Sequence, residues 1–239
     1  MKIYLSFGGG VNSVALHLLM LDQGVDFESV FVHHGTDWPD TYRYVAGFQW
    51  WLKSNGLKPI TILIPEYKGY TNLFKFSMGE SMLPARWPRW CTGKFKVRPI
   101  ERYYKKPCFQ FLGIDAGEAH RAKIHVGKSI ESRWPLIENE INRDGCKEII
   151  KKYGLPVPPK SGCYICPYQS KAQWVRLRYQ EPCLFQAAVD LEKNNNIVRN
   201  KGKRPYWLSK YEIPLQSVID EKQKMLFEEE EYPPCHCGL

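Results

Sequence analysis

This sequence predicts a doubly wound α/β fold built on a mostly parallel sheet, and three observations carry that expectation. Short apolar runs over 3–7, 29–33, 60–64 and 109–114 alternate with helical stretches, the pattern of parallel strands joined by crossover helices. Three consecutive glycines, Gly8, Gly9 and Gly10, stand between the first apolar run and the first helical one, where such a sheet places its nucleotide-binding turn. The 239 residues are 44% hydrophobic and 25% charged, ample for one α/β core with a smaller appended region.

The first turn, Ser6 to Ser13, reads SFGGGVNS. Its glycines let the backbone turn tightly and bring N–H groups against an anion, and a helix over 11–23 aims its positive end at the same point. Asn12 and Ser13 fall at the helix entrance, where short polar side chains cap free N–H groups or touch a phosphate oxygen. The turn lacks the lysine of G-x-x-x-x-G-K-[ST], and no glycine follows Gly10 at the G-x-G-x-x-G spacing, so two common nucleotide loops are excluded.

A second helix is expected over 41–54, ended by Asn55-Gly56, and a third over 95–104, where Lys96, Arg98, Arg102 and Lys105 make one side basic. Between them, 65–88 reads as a long irregular lid or substrate loop. The run over 133–138 reads as extended. A boundary near Asn142 divides the chain into a nucleotide-binding α/β part, 1–141, and a cysteine-rich helical part, 142–239. The second part holds a helix over 143–153, a proline-rich stretch over 155–159, and a helical pattern over 172–193 that Pro182 breaks midway. An amphipathic, then acidic, helix is expected over 222–231.

Eight cysteines without a secretory signal point to metal or sulfur chemistry rather than disulfides. Cys163-Tyr164-Ile165-Cys166 has the spacing that lets two thiolates reach one metal centre. Completion falls to Cys91, Cys146, Cys183, Cys235 or Cys237, and four thiolates suit a structural zinc or a [4Fe-4S] cluster alike. Cys108 begins an apolar strand and reads as a small hydrophobe. Around Cys91, the cations Arg86, Arg89, Lys94, Lys96 and Arg98 favour thiolate and would grip phosphate or sulfate. The formal charge of +9 favours polyanionic partners, nucleotide or nucleic acid. No apolar run reaches the length of a membrane span, and MKIYLSF enters a strand rather than a signal peptide, so a cytoplasmic location without membrane contact is expected.

The glycine turn resembles the S-G-G-x-D-S loop of the adenine nucleotide alpha-hydrolase (PP-loop ATP pyrophosphatase) superfamily: Gly9, Gly10 and Ser13 match, Gly8 stands for the serine and Asn12 for the aspartate. Further elements in order resemble the phosphoadenosine phosphosulfate (PAPS) reductase-like branch. These are the turn from His34 to Tyr42, Arg89-Trp90-Cys91-Thr92, the stretch from Lys96 to Ile100, and Gly113 to Arg121 with Glu118. Arg143-Asp144-Gly145-Cys146 and the 161–167 segment are similar to the cysteine region of prokaryotic and phage members, including DNA phosphorothioation sulfurtransferases.

The resemblance implies that Ser6, Gly8, Gly9, Gly10, Asn12 and Ser13 bind ATP with Mg2+ and that Gly35, Thr36 and Asp37 help hold the adenosine. Lys94 and Arg121 would stabilise charge developing on the phosphates. It also implies cleavage of ATP to AMP and pyrophosphate to adenylate a substrate, with iron-sulfur-dependent sulfur transfer, a nucleic-acid substrate and a sulfur donor protein among the partners. The metal site it points to is a [4Fe-4S] cluster on Cys91, Cys146, Cys163 and Cys166, with zinc as the alternative and Cys235 and Cys237 in reserve. Two other readings stay open: PAPS or adenylyl sulfate reduction with Cys237 as nucleophile, and a silent nucleotide- or nucleic-acid-binding module. The end His236-Cys237-Gly238-Leu239 departs from the reductase motif E-C-G-[IL]-H.

Overall fold

The computed structural model describes residues 1–122, 129–201 and 205–218. The helix expected over 222–231 and the cysteines at 235 and 237 lie outside them. Five strands, β1 (Lys2–Ser6), β2 (Glu28–Val32), β3 (Thr61–Leu63), β4 (Cys108–Leu112) and β5 (Ile130–Arg133), form one sheet in the order β3-β2-β1-β4-β5. Every pairing is parallel. The chain runs outward from β1 to β3 and returns to β4 on the other side of β1, so the strand order reverses between β1 and β4. Ligands bind beyond the carboxyl ends of the strands at such a reversal. Ser6 pairs with Leu112, and the turns after β1 and β4 therefore emerge side by side.

Among the described residues there are nine α-helical elements: α1 (Val11–Asp22), α2 (Pro39–Ser54), α3 (Leu73–Gly79), α4 (Trp90–Thr92), α5 (Arg98–Tyr103), α6 (Pro135–Glu138), α7 (Arg143–Lys152), α8 (Lys171–Gln180) and α9 (Pro182–Asn195). On one face α1, α2 and α7 bury Leu16, Leu18, Phe48, Leu52 and Ile150 with Leu5 and Phe7. On the other, Tyr104 at the end of α5 stacks on Tyr4 with ring centroids 4.2 Å apart, over Val30 and Cys108. Each fully buried Leu or Phe contributes roughly 1.5–3 kcal/mol of transfer free energy.

A second core lies beside the sheet. Trp38, Leu73, Phe76 and Phe95 from the first part of the chain pack with Ile165, Trp174, Leu177, Phe185 and Leu191 from α8, α9 and the cysteine loop. Glu192 on α9 is buried and accepts hydrogen bonds from the N–H groups of Leu208 (2.7 Å) and Leu215 (2.9 Å), fastening the 208–218 segment over this core. Burial pushes its carboxyl up from the usual range.

Three expectations need correction. The 65–88 stretch holds α3, because Asn72 caps it by accepting from Lys75 N–H (3.1 Å) and Leu73 and Phe76 are buried. Helical structure starts at Trp90 rather than at 95 and runs through a π-helical stretch, Gly93–Val97, into α5. The extended run over 133–138 divides into the end of β5 and the short helix α6, where Pro135 fits the first helical position. Pro182 separates α8 from α9 as expected.

Two outcomes test this packing. His17 on α1 is buried, its Nδ1 2.8 Å from Ser29 Oγ, with Phe27 and Phe48 edge-on at 4.9 and 5.1 Å. Burial lowers its pKa from 6.5 to about 3. The unfolded chain takes up this proton near pH 6.5 while the folded chain resists until about 3, so the stabilisation is complete above the window and is lost as pH falls through it. Urea denaturation of H17Q across that range should show a shallower decline than the parent. Gly9 has φ +70°, and a Cβ there would lie 2.7 Å from Val45 Cγ2 on α2. Gly9→Ala should cost about 1–3 kcal/mol, read as a lower denaturation midpoint at unchanged m-value.

Candidate functional site

The glycine turn forms the base of the site. Gly10 caps α1 without any side-chain hydrogen bond, and Val14 N–H is the first to bond back, to Gly10 O at 3.1 Å. The N–H groups ahead of it have no helical partner and face the carboxyl ends of β1 and β4. Ser13 Oγ donates to Gly10 O at 2.9 Å, bracing the turn rather than capping the helix. A Cβ on Gly113, just beyond β4, would lie 3.0 Å from the backbone of Asn12 and Ser13, so glycine is what lets the β4 turn seat against α1. Asn12 is buried there: its Nδ2 donates to Asp115 Oδ2 (2.8 Å) and its Oδ1 accepts from Arg143 Nη1 (3.1 Å). Ser6 faces away from the turn, its Oγ bonded to Gln110 Nε2 (2.8 Å) and Tyr104 OH (3.1 Å).

The cysteine loop is docked directly on this base. Trp38 N–H donates to Gly162 O and Tyr164 N–H to Thr36 O, both at 2.9 Å, so Asp37 and Cys163 form an antiparallel bridge. Ser161 lies so near Gly10 that a Cβ there would sit 2.5 Å from its Oγ. Cys163 is thereby buried among the residues after β2: Thr36 Oγ1 donates to its Sγ at 3.4 Å, and His34 Nε2 and Asp37 Oδ1 each lie 3.8 Å from it. His34 Nε2 is 3.2 Å from Asp37 Oδ2. Lys96 Nζ stands 3.5 Å from Asp37 Oδ1, which gives the buried carboxylate a counter-charge. Single ligand atoms of His34, Asp37 and Cys163 all fall within 4.8 Å of one another.

Cys91, Cys163 and Cys166 line one pocket together with His34, Arg89 and Lys96. Cys91 reaches it from α4, whose preceding strap is pinned by Trp90 Nε1 donating to Leu83 O at 3.0 Å. Cys166 is turned in by a tight bend in which its N–H bonds Cys163 O at 3.1 Å. The six cysteines among the described residues form no disulfide.

Cys146 is placed elsewhere. Its position on α7 faces α1, and its side chain is fully buried in the core under the sheet, where burial first and Asp115 second push the thiol up to about 12. The residue spacing of α7 gives the reason: the face carrying Cys146 and Ile150 is the apolar one that packs on α1.

The cations expected at the phosphates are engaged locally. Lys94 Nζ sits 4.8 Å from the centre of the Tyr67 ring, and Arg121 pairs with Glu118. Gly35 keeps its place by a φ of +78° against Asn72, while Thr36 and Asp37 turn their side chains to Cys163, His34 and Lys96. From the sequence Lys96 is one of the cations beside Cys91, while His34, Asp115 and Arg143 fall within matched elements without an individual role. For His34 and Asp115 a signal existed, since each is polar and stands directly after an apolar strand run, at the carboxyl edge of a parallel sheet.

No protein-family model matches the chain. Uncharacterized protein MJ0973 of Methanocaldococcus jannaschii is 25% identical over 242 aligned positions, covering 92% of this chain. The chain spans about half of that relative, 55% of its length. Among solved structures, PAPS reductase from Candida auris in its phosphate complex superposes with a TM-score of 0.51 at 16% identity, over 68% of this chain and 81% of that one. The U34-tRNA thiolase NcsA from Methanococcus maripaludis, solved with its [4Fe-4S] cluster, gives a TM-score of 0.46 at 12% identity, over 91% and 80%. The five parallel strands, their order and the helices on both faces give the chain the PAPS reductase-like α/β fold.

Proposed function

We propose that the chain is an adenine-nucleotide-using enzyme that cleaves ATP to AMP and pyrophosphate, adenylating an acceptor for sulfur transfer, with an iron-sulfur cluster held beside the nucleotide. The observation that supports it most is the docking of the cysteine loop onto the glycine turn at the strand-order reversal. Phosphate-binding backbone and metal-binding thiols thereby share one end of the sheet. In this reading the unpartnered N–H groups and the α1 dipole take the phosphates. An acceptor oxygen attacks the α-phosphorus, and pyrophosphate leaves with the bonding electrons, its charge shared with Mg2+ that enters with the nucleotide.

Cys91, Cys163 and Cys166 fit a cluster by their chemistry, three thiols converging on one pocket with Arg89 and Lys96 beside them to favour thiolate. A bound [4Fe-4S] cluster supplies sulfur-binding and one-electron chemistry there. Thr36 and His34 would hold Cys163 in place as outer partners. Among the described residues no helix is long and apolar enough to cross a membrane. The acceptor fits a nucleic acid by the charge of +9.

A second reading has its own observation. The compact trio His34, Asp37 and Cys163 has the spacing of ligands around a single ion such as zinc. Metal analysis after anaerobic purification separates the two. About four iron atoms per chain, lost in C91A and C166A and kept in C146A, is the expected pattern. Zinc retained in C91A and C166A but lost in H34A would replace the cluster by the mononuclear site. Calorimetry with ATP tests the nucleotide half, and no heat of binding to the purified chain would remove it.

A further inference from the structure

Asn12 stands where the resembling loop carries an acid, and the structure places a carboxylate immediately behind it. Asp115, almost fully buried at the end of the β4 turn, accepts from Asn12 Nδ2 at 2.8 Å. In front of Asn12, Arg143 donates to its Oδ1 at 3.1 Å. The three residues come from three segments: the glycine turn, the turn after β4 and the start of α7. The backbone ties the last two as well, since Ala116 N–H donates to Ile141 O at 2.9 Å.

Arg143 is an unusual residue for its position. It is the first residue of the ten-residue helix α7, whose end is already capped by Asn142 accepting from Gly145 N–H at 2.9 Å. A cation there opposes the helix dipole. Arg143 is exposed; its charge, after that of Lys147, lowers the pKa of Asp144 and offsets part of the rise that burial causes at Glu118, and the bond to Asn12 engages one of its five donors. The two cations expected at the phosphates are already engaged, Lys94 with the Tyr67 ring and Arg121 with Glu118.

The chemistry of Asn12 explains why an amide is needed. Its two ends are a donor and an acceptor, so it can face a carboxylate and a guanidinium at once. A carboxylate in its place would stand 2.8 Å from Asp115, and it would pair with Arg143 and cancel the charge that a phosphate would otherwise meet. We propose that Arg143 is the phosphate-binding cation of the glycine turn, and that Asp115 and Asn12 are positioning residues that aim it through a neutral amide. The inference rests on the reading of the turn as a nucleotide site and adds the residue that meets the phosphates.

The test compares wild type, R143A, R143K, N12D and N12D/D115N in titrations with ATP and with inorganic pyrophosphate, alongside thermal unfolding. R143A should weaken both ligands at least tenfold with an unchanged or higher Tm, because the helix loses an unfavourable charge at its N-terminus. R143K should fall between, keeping the charge but not the planar fork. N12D should lower both Tm and affinity. The double variant N12D/D115N should recover Tm, since an amide again faces a carboxylate, but not affinity, since the introduced carboxylate still cancels Arg143. Recovery of both, or wild-type pyrophosphate affinity in R143A, overturns the proposal and leaves the nucleotide reading intact. Pyrophosphate affinity that R143A removes, in a protein that does not bind ATP, overturns the nucleotide reading and upholds this one. Absence of both affinities in the wild type overturns both.

Discussion

The docking of the Ser161–Tyr164 loop onto the turn after β2 is the contact on which the rest of the site depends. Two backbone hydrogen bonds, Trp38 to Gly162 and Tyr164 to Thr36, fix it. Backbone bonds hold position more rigidly than side-chain contacts, because no rotamer freedom intervenes. The loop is held on its other side by the second core, where Ile165 and Tyr164 are buried with Trp38 and Phe95. Cys163 is therefore fixed against the β2 turn and the glycine turn by the same elements that fill the core.

That core also explains how distant segments meet. Phe95 and the Trp90–Thr92 turn come from the middle of the chain, yet they pack with α8 and α9. Cys91 reaches the pocket that Cys163 and Cys166 line as a consequence of aromatic packing, with Phe76 5.4 Å from Trp90 and 5.5 Å from Phe95 between ring centroids. Conversely, α7 follows the expected boundary in sequence but packs against α1 under the sheet. Sequence order and spatial grouping part company here.

Electrostatics in the site follow burial. His34, Asp37 and Cys163 are nearly inaccessible, and unpaired charges in such a place cost several kcal/mol. Lys96 and the mutual hydrogen bonds meet that cost. The glycine turn has the opposite arrangement: N–H groups left open at the helix entrance, with Arg143 exposed beside them. One part of the site is a closed polar cluster and the other an open cradle, and they touch through Gly10 and Ser161.

The sequence by itself determined the sheet and the place of the glycine turn at its carboxyl edge. Apolar runs of strand length alternating with helical ones leave few topologies for a parallel sheet, and three glycines after the first run fix where backbone N–H groups can meet an anion. The C-x-x-C loop was legible too, because two thiols at that spacing can share a centre wherever the chain places them. What only the tertiary structure decided was the company those residues keep. Cys146 and Cys91 were equal candidates by sequence. An apolar helix face buries one under α1, while an aromatic core carries the other to the pocket. Asn12 read as a lost acid until Asp115, a residue 103 positions later in the chain, proved to stand behind it. Contacts of that range are set by how strands are ordered and helices packed, which no local pattern encodes.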